Sequence, residues 1–213
     1  MTKVEYETAL REGESFLART DPLLRKLIRT HGPCCLSPHW RRSPYEALVR
    51  AIVYQQLNGK AAAAIMGRFI NLFPGSQFPE PGLVLTKTDE QLRSAGLSRQ
   101  KLSYIRDVAA KAQQGVIPTH RRGLMGRENE DLIDAFTQAK GVGRWSVEMM
   151  LMFSLGRLDI LPTDDYGVRA GYTNAKQLEA MIAPKQLALI GQRWAPYRSI
   201  AAWYLWRATE VLS

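Results

Sequence analysis

Cysteine is nearly absent: the 213 residues include two, Cys34 and Cys35, and they are neighbours. Adjacent cysteines cannot staple distant elements, so no disulfide framework holds this chain, and a reducing compartment fits it. Two thiols also fall short of the four thiolates that hold an iron–sulfur cluster. The pair reads as small buried thiols. Long apolar runs are missing too. No stretch approaches the roughly 20 residues a membrane-spanning helix needs, and the opening MTKVEYETALREGE lacks an apolar signal-peptide segment. The expectation is a cytoplasmic protein, nucleoid-associated if bacterial, with no membrane partner. Negative charge is in deficit, with 20 Asp and Glu against 29 Lys and Arg, a net charge of +9. Such a surplus points to a polyanionic partner, nucleic acid before membrane surface. Sustained period-2 alternation, internal repeats and low-complexity tracts are absent as well.

What remains is helical. In SPYEALVRAIVYQQ, Ser43, Pro44 and Glu46 form a helix start with the pattern of a capping box. Tyr45, Leu48, Val49, Ile52 and Val53 then fall on one face. TDEQLRSAGL repeats the device with Thr88 and Gln91, and Gly96 is placed to end that short helix. Further helices are expected near 4–18, 22–30, 59–73, 100–114, 129–138, 145–155, 176–182, 185–193 and 197–212. FPGSQFPEPG and HRRGLMGREN read as loops. The predicted fold class is all-α.

Two features carry chemistry. Leu132, Ile133 and Phe136 face one side of a helix that runs into Lys140, and Gly141-Val142-Gly143 turns the chain into a second helix near Trp145. Glycines at both positions permit positive φ and close approach of another backbone. The unpaired N–H groups and dipole of a helix start favour an anion such as a phosphate. A plain helix–turn–helix corner would look the same. After the apolar SVEMMLMFSL, a segment expected to be buried, Gly156 and Pro162 lead to Asp164-Asp165. A carboxylate facing a sugar–phosphate backbone does not help binding, but it stabilises positive charge developing on a sugar. Asp is also a favoured N-cap, and one of the two is expected to cap the next helix.

Five motifs in order, IVYQQLNGKAA, LRSAGLSRQK, KGVGRWS, LPTDDYGVRAG and WAPYRSIAAWYLW, resemble the helix-hairpin-helix/Gly-Pro-Asp superfamily of DNA glycosylases, most closely its 3-methyladenine DNA glycosylase II branch. The resemblance spans roughly Ser43 to Arg207. It implies two helical lobes around a DNA-binding cleft, with 1–40 plus 157–213 forming one lobe and 41–156 the other. The implied catalytic acid is Asp165, which stabilises an oxocarbenium-like sugar and orients or activates water, while Asp164 is left to capping. Superfamily members that also cut the backbone carry a lysine two residues past the second hairpin glycine. Here that residue is Trp145, which implies a monofunctional enzyme that leaves an abasic site.

The same resemblance implies DNA contacts from Gly141, Gly143, Arg144 and Ser146. It makes Gln56 the plug that fills the gap left by a flipped nucleotide. Asn58 falls at a minor-groove position, and Leu97 and Ser98 are candidates for a second wedge. The base pocket would take Trp145, Met149, Tyr166 and Trp206, whose aromatic faces suit cationic alkylated purines. Trp194 and Trp203 are expected in the core. The implied partner is duplex DNA carrying alkylated bases such as 3-methyladenine and 7-methylguanine, bound by a monomer, with no metal and no cofactor. A bifunctional oxidised-base glycosylase/lyase is disfavoured by Trp145 and by the missing cysteines. A non-enzymatic DNA-binding module would gain nothing from Asp165.

Overall fold

A computed structural model describes residues 2–209, and every regular element within them is a helix. In chain order these are α1 (Lys3–Thr20), α2 (Pro22–His31), α3 (Pro44–Tyr54), α4 (Gly59–Asn71), α5 (Pro81–Thr86), α6 (Asp89–Arg93), α7 (Arg99–Gln113), α8 (Asn129–Phe136) and α9 (Arg144–Met150). A π-helical turn (Leu151–Leu155), α10 (Tyr166–Lys176), α11 (Pro184–Gly191), a 3₁₀ turn (Gln192–Trp194) and α12 (Arg198–Arg207) follow. The all-α expectation holds. The chain divides into two compact units, one built from residues up to Pro38 together with those from Leu151 onward, the other from His39–Met150. No described helix is long and apolar enough to cross a membrane.

In the 39–150 unit, α3 buries its predicted stripe of Tyr45, Leu48, Val49, Ile52 and Val53. Burying each such side chain is worth about 1.5–3 kcal/mol, which fixes the helix's rotation. Ser43 caps it by accepting from the Glu46 amide at 3.1 Å. The box is half made, because the Glu46 carboxylate turns to Arg50 at 2.8 Å instead. The second box is complete, with Thr88 and Gln91 each closing on the other, and Gly96 ends that segment at φ 97°. Helix α5 went unread in the sequence. It is a six-residue helix started by Pro81, at the end of the stretch read as loop.

In the other unit, Trp194 is fully buried and its indole N–H donates to Asp21 at 2.9 Å. Trp203 is buried as expected. The helix predicted over 176–182 is not there. Helix α10 lies ten residues earlier and ends at Gln177, which adopts a left-handed conformation at φ 54°. The chain beyond is held non-helical by α10 itself, since Thr173 accepts from the Ile182 amide at 3.0 Å and Arg169 donates to the Ile182 carbonyl at 2.8 Å. The last three residues of the helix predicted over 197–212 lie outside the described residues; α12 runs Arg198–Arg207.

The cysteines part company. Cys34 is buried and Cys35 exposed, which corrects the expectation of two buried thiols. Glu14 explains Cys34: its carboxylate accepts from the Cys34 amide and from the Tyr204 hydroxyl, and Arg11 bridges Glu14 to the Cys34 carbonyl. Burial pushes the Cys34 thiol up to about 12, so thiolate, the reactive form, is scarce there at neutral pH. A thiol reagent at pH 8 should therefore modify one cysteine per native chain, at Cys35, and a second only after unfolding. Mass spectrometry of the labelled peptides reads the result. Rapid native labelling of Cys34 would contradict the buried network.

Candidate active site and DNA-facing loops

Helix α7 organises two loops of the 39–150 unit. Lys101 donates from Nζ to the carbonyls of Val53 at 2.6 Å and Gln55 at 2.8 Å, tying off the end of α3. Burial of that ammonium pushes its pKa down. One turn on, the Tyr104 ring lies so close beneath Gly141 that a Cβ there would overlap it. A further turn on, Asp107 accepts from the Lys140 amide at 2.8 Å. Gln55 then links the loops directly, donating from Nε2 to the Gly141 carbonyl at 2.9 Å. Gln56, just beyond, is exposed and left-handed at φ 55°. For a residue with a Cβ that conformation costs of order 1–3 kcal/mol and persists only where its surroundings enforce it. Lys101 and Gln55 are the enforcers. Sequence reading missed both, because a lysine and a glutamine at helix ends look like ordinary solvated polarity.

The two hairpin glycines do different things. Gly141 has φ 75° and no room for a side chain. Gly143 has neither constraint, so only one of the two glycines uses the positive φ that both permit: it is exposed, outside the left-handed region, and a Cβ built on it meets nothing. The protein's own packing does not require glycine at 143.

Arg144 was expected to reach DNA. Its guanidinium instead forms a fork on Glu130, at 2.6 and 2.8 Å, and donates from Nε to Glu148 at 3.0 Å. Glu148 is buried in α9, and a buried carboxylate needs a cation. Glu130 first, and Glu148 with it, push the guanidinium pKa up. Arg144 staples α8 to α9. Ser146 is buried, which leaves its backbone amide as the group that could face a phosphate. Asn58 is exposed, and its side-chain oxygen caps α4 by accepting from the Ala61 amide at 2.9 Å. Of the second-wedge pair, Leu97 is corrected: it is 3% exposed, part of the core, and cannot intercalate. Ser98 is exposed and caps α7. Trp145 is 48% exposed and Met149 half-buried.

The second cluster belongs to the other unit. Asp165, not Asp164, caps α10: its Oδ1 accepts from the Val168 amide at 2.8 Å. The capping role given to Asp164 is thereby corrected; Asp164 is exposed. The same Oδ1 accepts from the Trp206 indole N–H, also at 2.8 Å. Tyr166 is 74% exposed at the start of α10. The π-helical turn carries Phe153, whose ring meets Trp206 with centroids 5.9 Å apart. The start of α12 is pinned to the segment that leads into Asp165. Arg198 forms a fork on Asp159 at 2.6 and 2.8 Å, and Ser199 accepts from the Ile160 amide while donating to the Arg157 carbonyl.

The sequence that carries the glycine hairpin and the doubly held aspartate matches a known family. Residues 49–196 match the model of the HhH-GPD superfamily of base excision DNA repair proteins. The chain belongs to that superfamily. Among HhH-GPD relatives, DNA-3-methyladenine glycosylase 1 of Schizosaccharomyces pombe is 36% identical over 210 residues, covering 98% of this chain and 92% of its own. The alkylbase DNA glycosidase-like protein mag2 of the same yeast is 33% identical, with 94% of each chain covered. The solved structure of S. pombe 3-methyladenine DNA glycosylase in complex with abasic DNA superposes with a TM-score of 0.81 at 35% identity, covering 94% of this chain and 98% of that one. By its resemblance, this HhH-GPD chain has Trp145 at the position expected for the lysine of lyase members, and a tryptophan has no amine with which to form a Schiff base.

Proposed function

We propose that this protein is a monofunctional DNA glycosylase that hydrolyses the N-glycosidic bond of alkylated bases in duplex DNA. The observation that carries the reading is Asp165, held by a helix amide and an indole N–H in a chain 36% identical, over nearly its whole length, to a DNA-3-methyladenine glycosylase. A carboxylate fixed in this way is prepared for a positive charge that exists only in the transition state, which is what selective catalysis requires. In the proposed step the bond between the sugar C1′ and the base nitrogen breaks, and its electron pair leaves with the base. The sugar becomes oxocarbenium-like opposite Asp165. Water then adds to C1′ and gives up a proton, leaving an abasic site. A base made cationic by alkylation departs neutral, so it is the better leaving group.

The target nucleotide has to leave the stack to be reached. Gln56, presented on its strained turn, fills the gap, and the hairpin around Gly143 grips backbone phosphates without reading sequence. We take the protein to act as a monomer, in the cytoplasm or on the nucleoid.

The test is incubation with methylated duplex DNA, followed by chromatography of released bases and by gels run with and without alkali. Release of 3-methyladenine and 7-methylguanine is expected, with strand breaks only after alkali. Rapid excision of the neutral lesion 8-oxoguanine, or nicking without alkali, would point to a glycosylase/lyase. No released base would leave a DNA-binding module. Affinity for undamaged duplex should fall steeply with salt as phosphate contacts release counterions; a flat log–log plot would remove the electrostatic part of this reading.

A further inference from the structure

The sequence places Trp206 among the aromatics that stack on a flipped base, but its surroundings give it another task. The cap bond holds Asp165 Oδ1 from one direction only. The indole N–H of Trp206, arriving from α12 at 2.8 Å on the same oxygen, holds it from a second and narrows the orientation of the carboxylate, Oδ2 included. The indole is itself wedged. Phe153 lies against its ring. A Cβ at Gly167 would stand 2.8 Å from Trp206 Cδ1 and 3.2 Å from both Trp206 Nε1 and Asp165 Oδ1. One turn later, a Cβ at Gly171 would run into the backbone carbonyl of Leu205, the residue before Trp206. Two glycines at i and i+4 thus let α10 meet the α12 backbone directly, and this close approach fixes which residue of α12 reaches Asp165.

We infer that Trp206 is a positioning residue for Asp165, its N–H orienting the carboxylate, with Gly167 and Gly171 supplying the helix contact that brings it there. The inference rests on the catalytic reading of Asp165. Its test is Trp206→Phe, which keeps an aromatic ring beside Phe153 and removes the N–H. The melting temperature and the affinity for a duplex with a stable abasic-site analogue should stay within about twofold and a few degrees of the unchanged protein. The single-turnover rate on 7-methylguanine duplex should fall roughly 100-fold, the scale of a misoriented catalytic group. Gly167→Ala should show the same split between rate and affinity. In nitrogen–proton spectra, the indole cross-peak lost in Trp206→Phe should be the one that moves in Asp165→Asn.

A Trp206→Phe variant with an unchanged rate would overturn the inference, and so would a loss confined to DNA affinity, the mark of a stacking platform. An unmoved indole peak would overturn it as well. Asp165→Asn, assayed alongside, separates the two levels. Full activity there sinks the reading of Asp165 itself, whereas an inactive Asp165→Asn beside a fully active Trp206→Phe sinks only the positioning role.

Discussion

Asp165→Asn is expected to slow single-turnover base release roughly 100- to 1,000-fold, the usual cost of removing one preorganised charge-stabilising group. Asparagine is the informative replacement because Asp165 also caps α10. Asn and Asp cap helices about equally well, whereas Ala would cost about 1 kcal/mol there and confuse a folding defect with a chemical one. The melting temperature should therefore barely change, and affinity for duplex DNA should hold or rise once the like charge is gone. Asp164→Asn, on an exposed side chain, should stay near the parent rate. Equal losses in the two variants would show that the pair had been divided wrongly.

The hairpin glycines give the second large effect, and the prediction is a contrast. Gly141→Val forces a β-branched residue to φ 75° and drives its side chain into the Tyr104 ring. Left-handed strain alone costs of order 1–3 kcal/mol, so a melting temperature lower by several degrees and collapse of DNA binding are expected together. Gly143→Val meets no protein atom in its first carbon and needs no unusual φ. That variant should melt like the parent and still lose affinity for every duplex alike, damaged or not. Calorimetry beside a binding titration distinguishes them. If Gly143→Val bound DNA normally, the hairpin would be a structural corner and the phosphate grip would have to be sought elsewhere.

Where the chain obeys local rules it could be read directly. The stripe of α3, the Thr88–Gln91 box and the Gly96 stop are all decided within a few residues of themselves, and the structure reproduces them. Helix α10 was illegible for the opposite reason. YGVRAGYTNAK contains two glycines, each costing a helix interior about 1 kcal/mol relative to Ala, and they are present because α12 demands the space. The neighbouring KQLEAMI, rich in helix formers, was read as the helix instead. Its backbone partners come from Arg169 and Thr173, which no local pattern reveals.

The site divides along the same line. Asp165 could be found from its motif, since the motif is contiguous. Its partner Trp206 lies 41 residues away, and no local pattern shows the N–H that it donates to Asp165. The resemblance made Arg144 a DNA contact. Glu148 stands one helical turn along the same helix, but only the folded chain brings Glu130 to it. Leu97 was a wedge candidate by resemblance, and tertiary packing buries it.

The face of α7 that carries Lys101, Tyr104 and Asp107 has a consequence for anyone wishing to transplant either of the loops it holds. The turn at Gln56 and the hairpin at Gly141 share one mounting, and Gln55 bolts them to each other. Neither loop is a portable cassette. A host scaffold given residues 53–58 alone would lack the ammonium that closes their carbonyls, and one given 139–146 alone would lack the ring and carboxylate on which that turn is seated. Fifteen residues of helix would have to travel with either loop, and whoever moved one would, in effect, have moved both.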